Sequence, residues 1–464
     1  MKRLAAINTS DTIAAISTPV GQGGLGIVRV SGPDALEVAD RIFRCKKGLP
    51  SSLPTHTVHY GLVEAEGQII DNVLLIVMRG PRTYTGEDTV EISCHGGRIV
   101  LHKTLSAAIR AGARPANPGE FTMRAFLNGK LDLSQAEAVQ QLIGAQNELA
   151  FRVASQQLRG KLHNAVEAIR SEVVDVAAVV EASIDFPEED IELSSKDELR
   201  AKLASAREKT ENLLSTFEDG AKIVEGVNVV IAGKPNVGKS TLLNALLEKD
   251  VAIVTPIAGT TRDVLRESLI LQGITLNVFD TAGIRKPRGV VEKEGVKRSE
   301  QALQEADLVL FVLDADAGVS EKDRRIFKEA QGKRHIIVVN KIDLAPGTDE
   351  EVFANEFGGA PKVKTSALKL EGIEELKRHI SDNVWSQDIP SADQAIITNV
   401  RHRDALERTK EALDGALKAF QEGLSPEFPA VEIREALDAL GLITGETTDE
   451  EILHKIFSKF CIGK

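Results

Sequence analysis

The sequence predicts a multidomain protein of α/β and α class, in which an amino-terminal α+β module precedes an all-α helical domain that carries an inserted α/β domain. Short β-rich runs bounded by glycine and proline fill the first quarter of the chain. Helical periodicity with few breakers follows to about residue 220, and it returns after residue 385. Between these stretches, aliphatic runs alternate with helical ones, as is typical of a parallel sheet.

The amino-terminal module is assigned to residues 1–125. Its predicted strands are the runs TIAAIST, GIVRVSG, NVLLIVMRG and DTVEIS. Gly21, Gly23 and Gly26 satisfy the G-x-G-x-x-G pattern, but the following IVRVSG predicts a strand, whereas a dinucleotide-binding fingerprint must open a helix. A Rossmann site is therefore rejected in favour of a glycine-rich hairpin or loop.

The helical domain is assigned to residues 126–221 and 386–464. Runs such as LSQAEAVQQLIGAQ and DELRAKLASAREKTENLLSTF show helical periodicity in the first part. In the second part, apolar side chains share helix faces at Leu406, Leu413, Leu417 and Phe420, and at Ile452, Ile456, Phe457 and Phe460. A capping box from Thr447 to Glu450 is predicted to start the last helix. Each part leaves an apolar stripe that needs a partner, which favours one helical domain; two separate helical domains are the alternative.

Composition sets limits on function. The 464 residues carry 57 Lys and Arg against 69 Asp and Glu, a net charge of −12, so a nucleic-acid contact must be local or shared with a partner. Cys45, Cys94 and Cys461 are widely spaced, which indicates neither a disulfide framework nor a structural zinc site. No apolar run reaches the roughly 18 residues of a membrane span, so we expect a cytoplasmic protein.

The α/β domain, residues 222–385, opens with a phosphate-binding motif. The strand VNVVIAG leads into GKPNVGKS at 233–240 and then into the helix STLLNALLE, which is the context that this motif requires. Backbone N–H groups are expected to cradle phosphates, Lys239 to reach the β and γ oxygens, and Ser240 to ligate Mg²⁺.

Three further boxes follow in order. GTTRD supplies Thr261, DTAG supplies Asp280 and Gly283, and NKID ends an aliphatic strand at 340–343. The Asp343 carboxylate can accept two hydrogen bonds from guanine, an arrangement that adenine does not offer. The order and spacing of the boxes predict a guanine nucleotide site, closed over the base by the backbone N–H groups of Ser366 and Ala367.

The DTAG box raises a question about water. In Ras-type switches a glutamine follows this box and orients the attacking water, but here the position holds Ile284. Glu292 and Glu294 lie downstream between Gly289 and Gly295, where either carboxylate could swing toward the site. An exposed switch helix would carry the same acids, so both interpretations stay open at this point.

Asn236 is a second unusual residue of the phosphate loop. Its amide oxygen could hold a monovalent cation beside the phosphates if carbonyls of TPIAGTT, residues 255–261, complete the cage. A turn residue without a ligand fits the position equally well.

Together GKPNVGKS, TPIAGTTRD, DTAGIR and NKID resemble translation-factor-like GTPases that have a hydrophobic residue in place of the glutamine. The flanking stretches PGEFTMRAFLNGKLDLSQAEAV, EASIDFPEED and the terminal FCIGK are similar to the MnmE (TrmE) family of bacterial and organellar tRNA-modification GTPases. The resemblance runs from the first strand to residue 464.

The resemblance implies a set of site residues. Potassium would be bound by Asn236, Thr255, Ile257 and Thr260, and Mg²⁺ by Ser240 and Thr261. Glu292 is the acid in the family register and would orient the attacking water. A folate would be bound by Arg29, Glu91, Lys130 and Lys464. The boxes and the resemblance together place the GTP contacts at Asn236, Val237, Gly238, Lys239, Ser240, Thr241, Thr255, Pro256, Ile257, Ala258, Gly259, Thr260, Thr261, Asp280, Thr281, Ala282, Gly283, Asn340, Lys341, Asp343, Ser366 and Ala367.

The resemblance also implies partners. It points to a homodimer with a folate-binding, dimerising amino-terminal domain and with GTPase domains that dimerise when potassium and GTP are bound. An FAD-dependent MnmG-type protein would form a heterotetramer or larger complex with it, and FAD would enter only through that partner. With 5-formyl- or methylene-tetrahydrofolate, the complex would add a carboxymethylaminomethyl or aminomethyl group at C5 of wobble uridine 34, and tRNA would bind mainly to the complex.

Two alternative functions are consistent with parts of the sequence. A ribosome-assembly GTPase would need an RNA-binding module such as a KH GXXG loop, and none is found near the carboxyl end. A folate-binding scaffold whose GTPase domain only senses the nucleotide would lack multiple turnover.

Overall fold

The computed structural model describes residues 10–19, 21–186, 196–247, 266–271, 273–280, 303–330, 332–345, 347, 353, 357, 360–384 and 394–464. The chain divides into two compact units. The first comprises Met1–Gln140, Gln157–Glu211 and Asp404–Lys464, and the second comprises Gln141–Gln156 and Asn212–Arg403. The predicted limits at residues 125, 221 and 385 stay predictions.

The first unit contains a seven-stranded sheet of order β3-β4-β5-β6-β2-β1-β7. Its strands are β1 (Ile13–Ile16), β2 (Gly23–Ser31), β3 (Phe43–Arg44), β4 (Thr57–Ala65), β5 (Gln68–Met78), β6 (Thr89–Gly96) and β7 (Arg114–Pro115). Neighbouring strands are antiparallel except β1 and β7. The glycines of the rejected G-x-G-x-x-G pattern at positions 23 and 26 lie in β2, which confirms that this motif opens no helix.

Three helices belong to this part of the chain, namely α1 (Ala35–Ile42), α2 (Arg98–Arg110) and α3 (Glu120–Leu127). Because side chains alternate across a strand, Val28 and Val30 of β2 join Leu75 and Ile92 in a buried core with α1 and α2. The residue between them, Arg29, then points to the opposite face of the sheet. There it lies directly across from Glu91 of β6.

The helices that follow are α4 (Leu133–Gly144), α5 (Glu148–Leu158), α6 (Lys161–Asp185), α7 (Lys196–Ser215) and α8 (Phe217–Glu225). Near the carboxyl end lie α12 (Val400–Gln421), α13 (Glu427–Thr444) and α14 (Glu450–Phe457). Helix α6 packs along α13, and its buried face recurs every three to four residues from Leu162 to Val180. Ion pairs join Arg170 to Glu446 at 2.9 Å and Arg434 to Glu181 at 3.2 Å. Segments 157–211 and 404–464 thus meet in one compact unit.

The predicted capping box at the start of α14 is wrong. The N-cap is Asp449, whose Oδ1 accepts a hydrogen bond from the Ile452 N–H at 2.8 Å. Thr447 instead donates its hydroxyl to the Asp438 carbonyl at 2.7 Å. Aspartate is as good an N-cap residue as threonine, so Asp449 caps the helix, and the capping box predicted from the Thr447–Glu450 spacing does not form.

The second unit contains a six-stranded sheet of order β13-β12-β11-β8-β10-β9. Its strands are β8 (Val227–Ala232), β9 (Arg266–Leu271), β10 (Ile274–Asp280), β11 (Leu308–Asp314), β12 (Arg334–Asn340) and β13 (Lys362–Thr365). All pairs are parallel except β9 with β10, which form an antiparallel hairpin at Gly273. The predicted parallel sheet is therefore correct apart from this edge strand, which the aliphatic runs did not reveal.

Helices α9 (Lys239–Leu247), α10 (Glu321–Glu329) and α11 (Ile373–Val384) belong to this unit. Buried aliphatic side chains cover both faces of the sheet, with Leu310 in one core and Phe311 in the other. Such two-sided burial explains why its central strands are continuous apolar runs. None of the helices in the described ranges combines the length and the apolar character that crossing a bilayer requires.

Candidate functional site

The carboxyl ends of β8, β11, β12 and β13 lie at one edge of the second sheet, because these strands are parallel. Ligands of such sheets bind outside this edge. The loops after β8, β12 and β13 carry the phosphate motif, NKID and the Ser366–Ala367 pair. The fold therefore brings together three of the predicted boxes.

The phosphate loop connects Ala232 of β8 to Lys239, the first residue of α9. Its backbone enters the left-handed region at Gly233, Asn236 and Gly238, with φ of 144°, 66° and 95°. At Gly238 a Cβ would overlap the Asn340 Nδ2 atom. Glycine is thus required at position 238 both by its backbone conformation and by the close approach of Asn340, the asparagine of the NKID box.

The Lys239 side chain lies along the inside of this loop. Its Nζ donates to the Gly233 carbonyl at 2.9 Å and to the Lys234 carbonyl at 2.6 Å, and only 6% of the residue is exposed. Ser240 and Thr241, the next residues of α9, are exposed. The arrangement holds the lysine ammonium among the loop's backbone groups, and Ser240 follows it as a solvent-exposed residue.

Lys234 anchors the loop through a contact that the sequence did not reveal. Its Nζ lies 2.7 Å from Oδ2 of Asp323, a carboxylate that is fully buried in α10. The same oxygen caps α10 by accepting the Ser320 N–H at 2.9 Å. This ion pair fixes the first turn of the phosphate loop against α10, which lies 89 residues further along the chain.

Asn340 connects three parts of the site. Its Nδ2 donates to the Val237 carbonyl at 2.9 Å, and its Oδ1 accepts the Ala367 N–H at 3.0 Å and the Thr365 hydroxyl at 3.3 Å. With 2% exposure, the amide is enclosed by partners for both of its ends. The guanine box is thereby locked to the phosphate loop and to the loop after β13.

Asp343 and Ser366 lie side by side. The Ser366 hydroxyl donates to Asp343 Oδ1 at 2.7 Å, which leaves the other carboxylate oxygen available to a base. The Ser366 loop turns back through hydrogen bonds from the Glu371 and Lys369 N–H groups to the Ser366 carbonyl, both at 3.1 Å. The predicted specificity carboxylate is thus oriented by the serine that was predicted to close over the base.

Lys341 has φ 68°, and its Nζ pairs with Asp314 Oδ2 at 2.7 Å. Burial acts to raise the pKa of Asp314, but the hydrogen bond from Lys341 and the N–H of Asp316 outweigh it and lower that pKa below its ordinary value. The ion pair with Asp314, the last residue of β11, holds the aliphatic part of the Lys341 side chain beside the predicted nucleotide site. Sequence reasoning missed Asp314, although its position at the end of a buried strand was a usable signal.

Several predicted residues lie outside the described residues. These are Thr255, Pro256, Ile257, Ala258, Gly259, Thr260, Thr261, Thr281, Ala282, Gly283 and Glu292. Asp280 is described only in its backbone, at the end of β10 beside Ile231 of β8. The DTAG box therefore starts at the same sheet edge as the phosphate loop.

A second group of predicted residues lies in the first unit. Arg29 Nε donates to Glu91 Oε1 at 2.8 Å, its Nη1 donates to the Gly463 carbonyl at 3.0 Å, and its guanidinium lies 5.6 Å from the centre of the Phe121 ring. Burial and the nearby Arg29 charge lower the pKa of Lys464. Three of the four predicted folate residues therefore converge.

Lys130, the fourth predicted folate residue, lies beside the loop that carries Tyr84 and Gly86. Its Cε lies 3.3 Å from the place that a Cβ on Gly86 would occupy. In the same loop, the Tyr84 hydroxyl hydrogen-bonds to that of Thr122 at 2.9 Å, and burial raises the Tyr84 pKa. Tyr84 was not predicted, because a lone tyrosine in a loop carries no sequence signal.

Comparison with known proteins gives two matching family models. One described as the MnmE helical domain matches residues 133–461, and one described as the amino terminus of the GTP-binding protein TrmE matches residues 12–130. The chain is 46% identical over 455 residues to the tRNA modification GTPase MnmE of Protochlamydia amoebophila, covering 98% of both chains. It is 43% identical over 458 residues to MnmE of Bacillus subtilis, covering 98% of this chain and 100% of that one.

Among solved structures, a variant of Era from Aquifex aeolicus bound to GDP and aluminium fluoride is 32% identical and covers 40% of this chain and 65% of that one. Its TM-score of 0.27 is too low to support a structural argument.

Proposed function

Because the chain belongs to the MnmE (TrmE) family of tRNA modification GTPases, we propose that potassium stimulates its GTP hydrolysis and that a one-carbon folate serves the modification. The chain is a GTP hydrolase that acts in tRNA modification. The observation that carries the nucleotide site is the contact of Asn340 with both Val237 and Ala367, which joins the phosphate loop to the base-recognition loops.

Guanine would be selected by Asp343. With one oxygen held by Ser366, the carboxylate can accept the guanine N1–H and 2-amino hydrogens, whereas ATP would leave a desolvated carboxylate unpaired. Lys239 and the N–H groups at the start of α9 would bind the phosphates.

Two cations would bind beside the phosphate loop. Asn236 is exposed and held at positive φ, so its amide can turn toward the phosphates; with Thr255, Ile257 and Thr260 it would hold potassium. Ser240 would hold Mg²⁺ together with Thr261 through their hydroxyl groups, because Mg²⁺ prefers oxygen ligands. When bound, these ions would supply the positive charge that an arginine finger supplies elsewhere. Glu292 would orient the attacking water.

The role of potassium is tested by multiple-turnover GTP hydrolysis in potassium and in sodium salts at equal ionic strength. We expect hydrolysis at least about tenfold faster in potassium, because the charge offset acts in the transition state. Asn236→Ala should remove the difference between the two salts. Equal rates of the wild-type protein in both salts would remove potassium from the mechanism.

Glu292 is tested against its neighbour Glu294. Glu292→Ala should slow hydrolysis by about two orders of magnitude or more while GTP affinity stays within about twofold, because the residue acts on water rather than on the nucleotide. Glu294→Ala is the matched control and should retain the wild-type rate. Near-normal turnover of Glu292→Ala would refute the assignment.

A folate would bind at Arg29, Glu91, Lys130 and Lys464. A carboxylate such as Glu91 can accept hydrogen bonds from the pterin N–H and amino groups, and cations suit the glutamate tail. The Arg29–Glu91 contact and the approach of Lys464 support the proposal, since they bring both charge types together. The donor would be 5-formyl- or methylene-tetrahydrofolate.

The open face of the first sheet would form a homodimer. Val58, Tyr60 and Leu74 are exposed there by 56%, 70% and 45%. In register, Val58 lies opposite Ile76, which lies opposite Glu91, so an apolar row leads directly to the Arg29–Glu91 pair. A second copy that buried this row would also cover the folate residues. Tyr60→Glu should therefore shift the sedimentation of the protein toward the monomer.

An FAD-dependent MnmG-type protein would complete the reaction in the cytoplasm. The two proteins would form a heterotetramer or larger complex and would add the aminomethyl or carboxymethylaminomethyl group at C5 of wobble uridine 34. Analysis of wobble uridine in a strain that lacks this chain tests the assignment. Unchanged modification in that strain would contradict it.

A further inference from the structure

Helix α2 is a basic element in an acidic chain. It contains Arg98, His102, Lys103 and Arg110 and no acidic residue. The surrounding segment 92–119 also lacks Asp and Glu, although the whole chain has 69 of them. Positive charge is therefore concentrated locally, as a nucleic-acid contact in a chain of net charge −12 would require.

The cationic residues of α2 lie on its solvent face. The opposite face, formed by Leu101, Thr104, Ala107 and Ala108, is buried against the sheet. The side chains of Arg98, His102, Lys103 and Arg110 are exposed, and Ile99 between them is 73% exposed. The helix thus presents a continuous cationic face with one apolar side chain in its first turn.

Among the described residues, acidic side chains pair only with the ends of this face. Arg110 lies 3.5 Å from Glu66, with both side chains more than half exposed, and His95 before the helix pairs with Asp71 at 2.8 Å. Within the described part of the chain, Arg98 and Lys103 have no acidic group within ion-pair distance. Their charges are available to a partner.

We propose that the exposed face of α2 binds the phosphate backbone of tRNA. The chain acts in tRNA modification, so a polyanionic partner is given by its activity. Arg98 and Arg110 are separated by about 18 Å along the helix axis, long enough to follow several phosphates of one strand. Contacts from Lys and Arg to phosphates position an RNA without reading its sequence, which leaves recognition of uridine 34 to other groups.

The test is tRNA binding by the full-length double variant Arg98→Ala/Lys103→Ala, measured by fluorescence anisotropy with two unmodified tRNA transcripts of different sequence. We expect affinity to fall about tenfold or more at 0.1 M salt, and the slope of log K against log salt concentration to decrease by about two. Both transcripts should lose affinity equally. Arg98→Lys, which keeps the charge, should retain most of the binding.

The matched control is Lys418→Ala/Arg434→Ala, which removes two charges whose side chains are 74% and 72% exposed on α12 and α13. It should bind tRNA within about twofold of wild type. Both double variants should hydrolyse GTP at the wild-type rate in the absence of tRNA, which separates this proposal from the nucleotide site.

Three results would overturn the proposal. The first is unchanged tRNA affinity and salt slope in Arg98→Ala/Lys103→Ala. The second is an equal loss in the control variant, which would indicate a general charge effect. The third is unchanged tRNA affinity together with lost binding to vesicles containing anionic lipid, which would assign the face to a membrane. As an independent readout, saturating tRNA should protect Lys103, but not Lys418, from acetylation.

Discussion

At the scale of single residues, Asn340 and Asp343 of the NKID box make different kinds of contact. Asn340 is enclosed by Val237, Thr365 and Ala367 and holds the loops together, whereas Asp343 keeps one carboxylate oxygen free of Ser366. The contacts of the first residue are therefore with the protein itself, and the second is the residue that we propose to recognise the base.

Asp343→Asn should weaken GTP binding by about 2 to 3 kcal/mol, because a charge-assisted hydrogen bond is lost and an amide hydrogen then faces the guanine N–H groups. Xanthosine triphosphate carries a carbonyl where guanine has its amino group, so the variant should bind it better than GTP. Titration with fluorescent nucleotides measures both affinities. Asp316→Asn, an exposed residue of the same unit, is the control; unchanged base preference in Asp343→Asn would contradict the assignment.

The sequence predicted Asn340, Asp343 and Lys239 as site residues because their motifs have fixed spacings. It could not identify the carboxylates that hold Lys234 and Lys341, two other lysines of the same motifs, in place. Asp323 contacts Lys234 across 89 residues, and Asp314 contacts Lys341 from a different strand. Such pairs depend on which loops the sheet brings together, and no local pattern encodes them.

At the scale of elements, α3 is held to the first sheet by a buried charge network. Arg124 is fully buried and contacts Asp11 at 2.6 Å, Glu87 at 3.1 Å and Glu120 at 3.0 Å. Arg114 also binds Glu120, at 2.5 Å. Burial acts to raise the pKa of Glu120, but hydrogen bonds from Arg114, the Asn117 N–H and Arg124 lower it overall.

Glu120→Gln should destabilise the first unit by about 2 to 4 kcal/mol at pH 7, because two arginines lose a buried counter-charge. A carboxylate whose pKa is lowered by folding stabilises the folded state at pH values above its ordinary pKa. This stabilisation is lost as the pH falls through the folded-state pKa. The difference between variant and wild type should therefore shrink below about pH 4.5. Hydrogen exchange of the α3 amides across this range measures it.

Glu37→Gln is the control for that experiment. Its carboxylate lies 3.6 Å from Arg41 with 66% exposure, so its loss should cost less than about 1 kcal/mol at any pH. If both variants lost the same protection, the network around α3 would be no more important than a surface ion pair.

Element types were predicted well where the apolar pattern was long. The strands β5, β8, β11 and β12 are dense aliphatic runs, and α7 and α12 lie where helical periodicity was predicted. By contrast, β4 mixes threonine, histidine and glycine with its apolar residues because one face stays exposed, and β9 is an edge strand. Weak alternation of this kind is hard to distinguish from a loop.

At the scale of the whole molecule, the first unit joins distant parts of the sequence. Arg29 of β2 donates to the Gly463 carbonyl, a contact between residues 434 positions apart. The Gly463 backbone also lies against Ile16 and Ser17, next to β1. Sequence patterns predicted a helical stripe before this segment but gave no indication that it returns to the first sheet.

Removing residues 461–464 should therefore weaken the proposed binding of 5-formyl-tetrahydrofolate by about tenfold or more, because Lys464 and the backbone support of Arg29 are lost together. GTP hydrolysis should stay within about twofold, since the second unit is untouched. Isothermal titration measures the first quantity and phosphate release the second. Lys455→Ala, a substitution in α14, is the control, and undiminished folate binding after truncation would refute the role of this segment.

The Arg29–Gly463 contact also has a consequence in time. A ribosome adds roughly 5 to 20 residues per second, so the interval between synthesis of these two residues is on the order of half a minute. During that interval, strands β1 and β2 lack the segment around Gly463 that packs on them. The second unit is synthesised in the same interval and can fold. We therefore expect the nascent chain to become able to bind GTP first. The proposed folate site around Arg29 should be completed last.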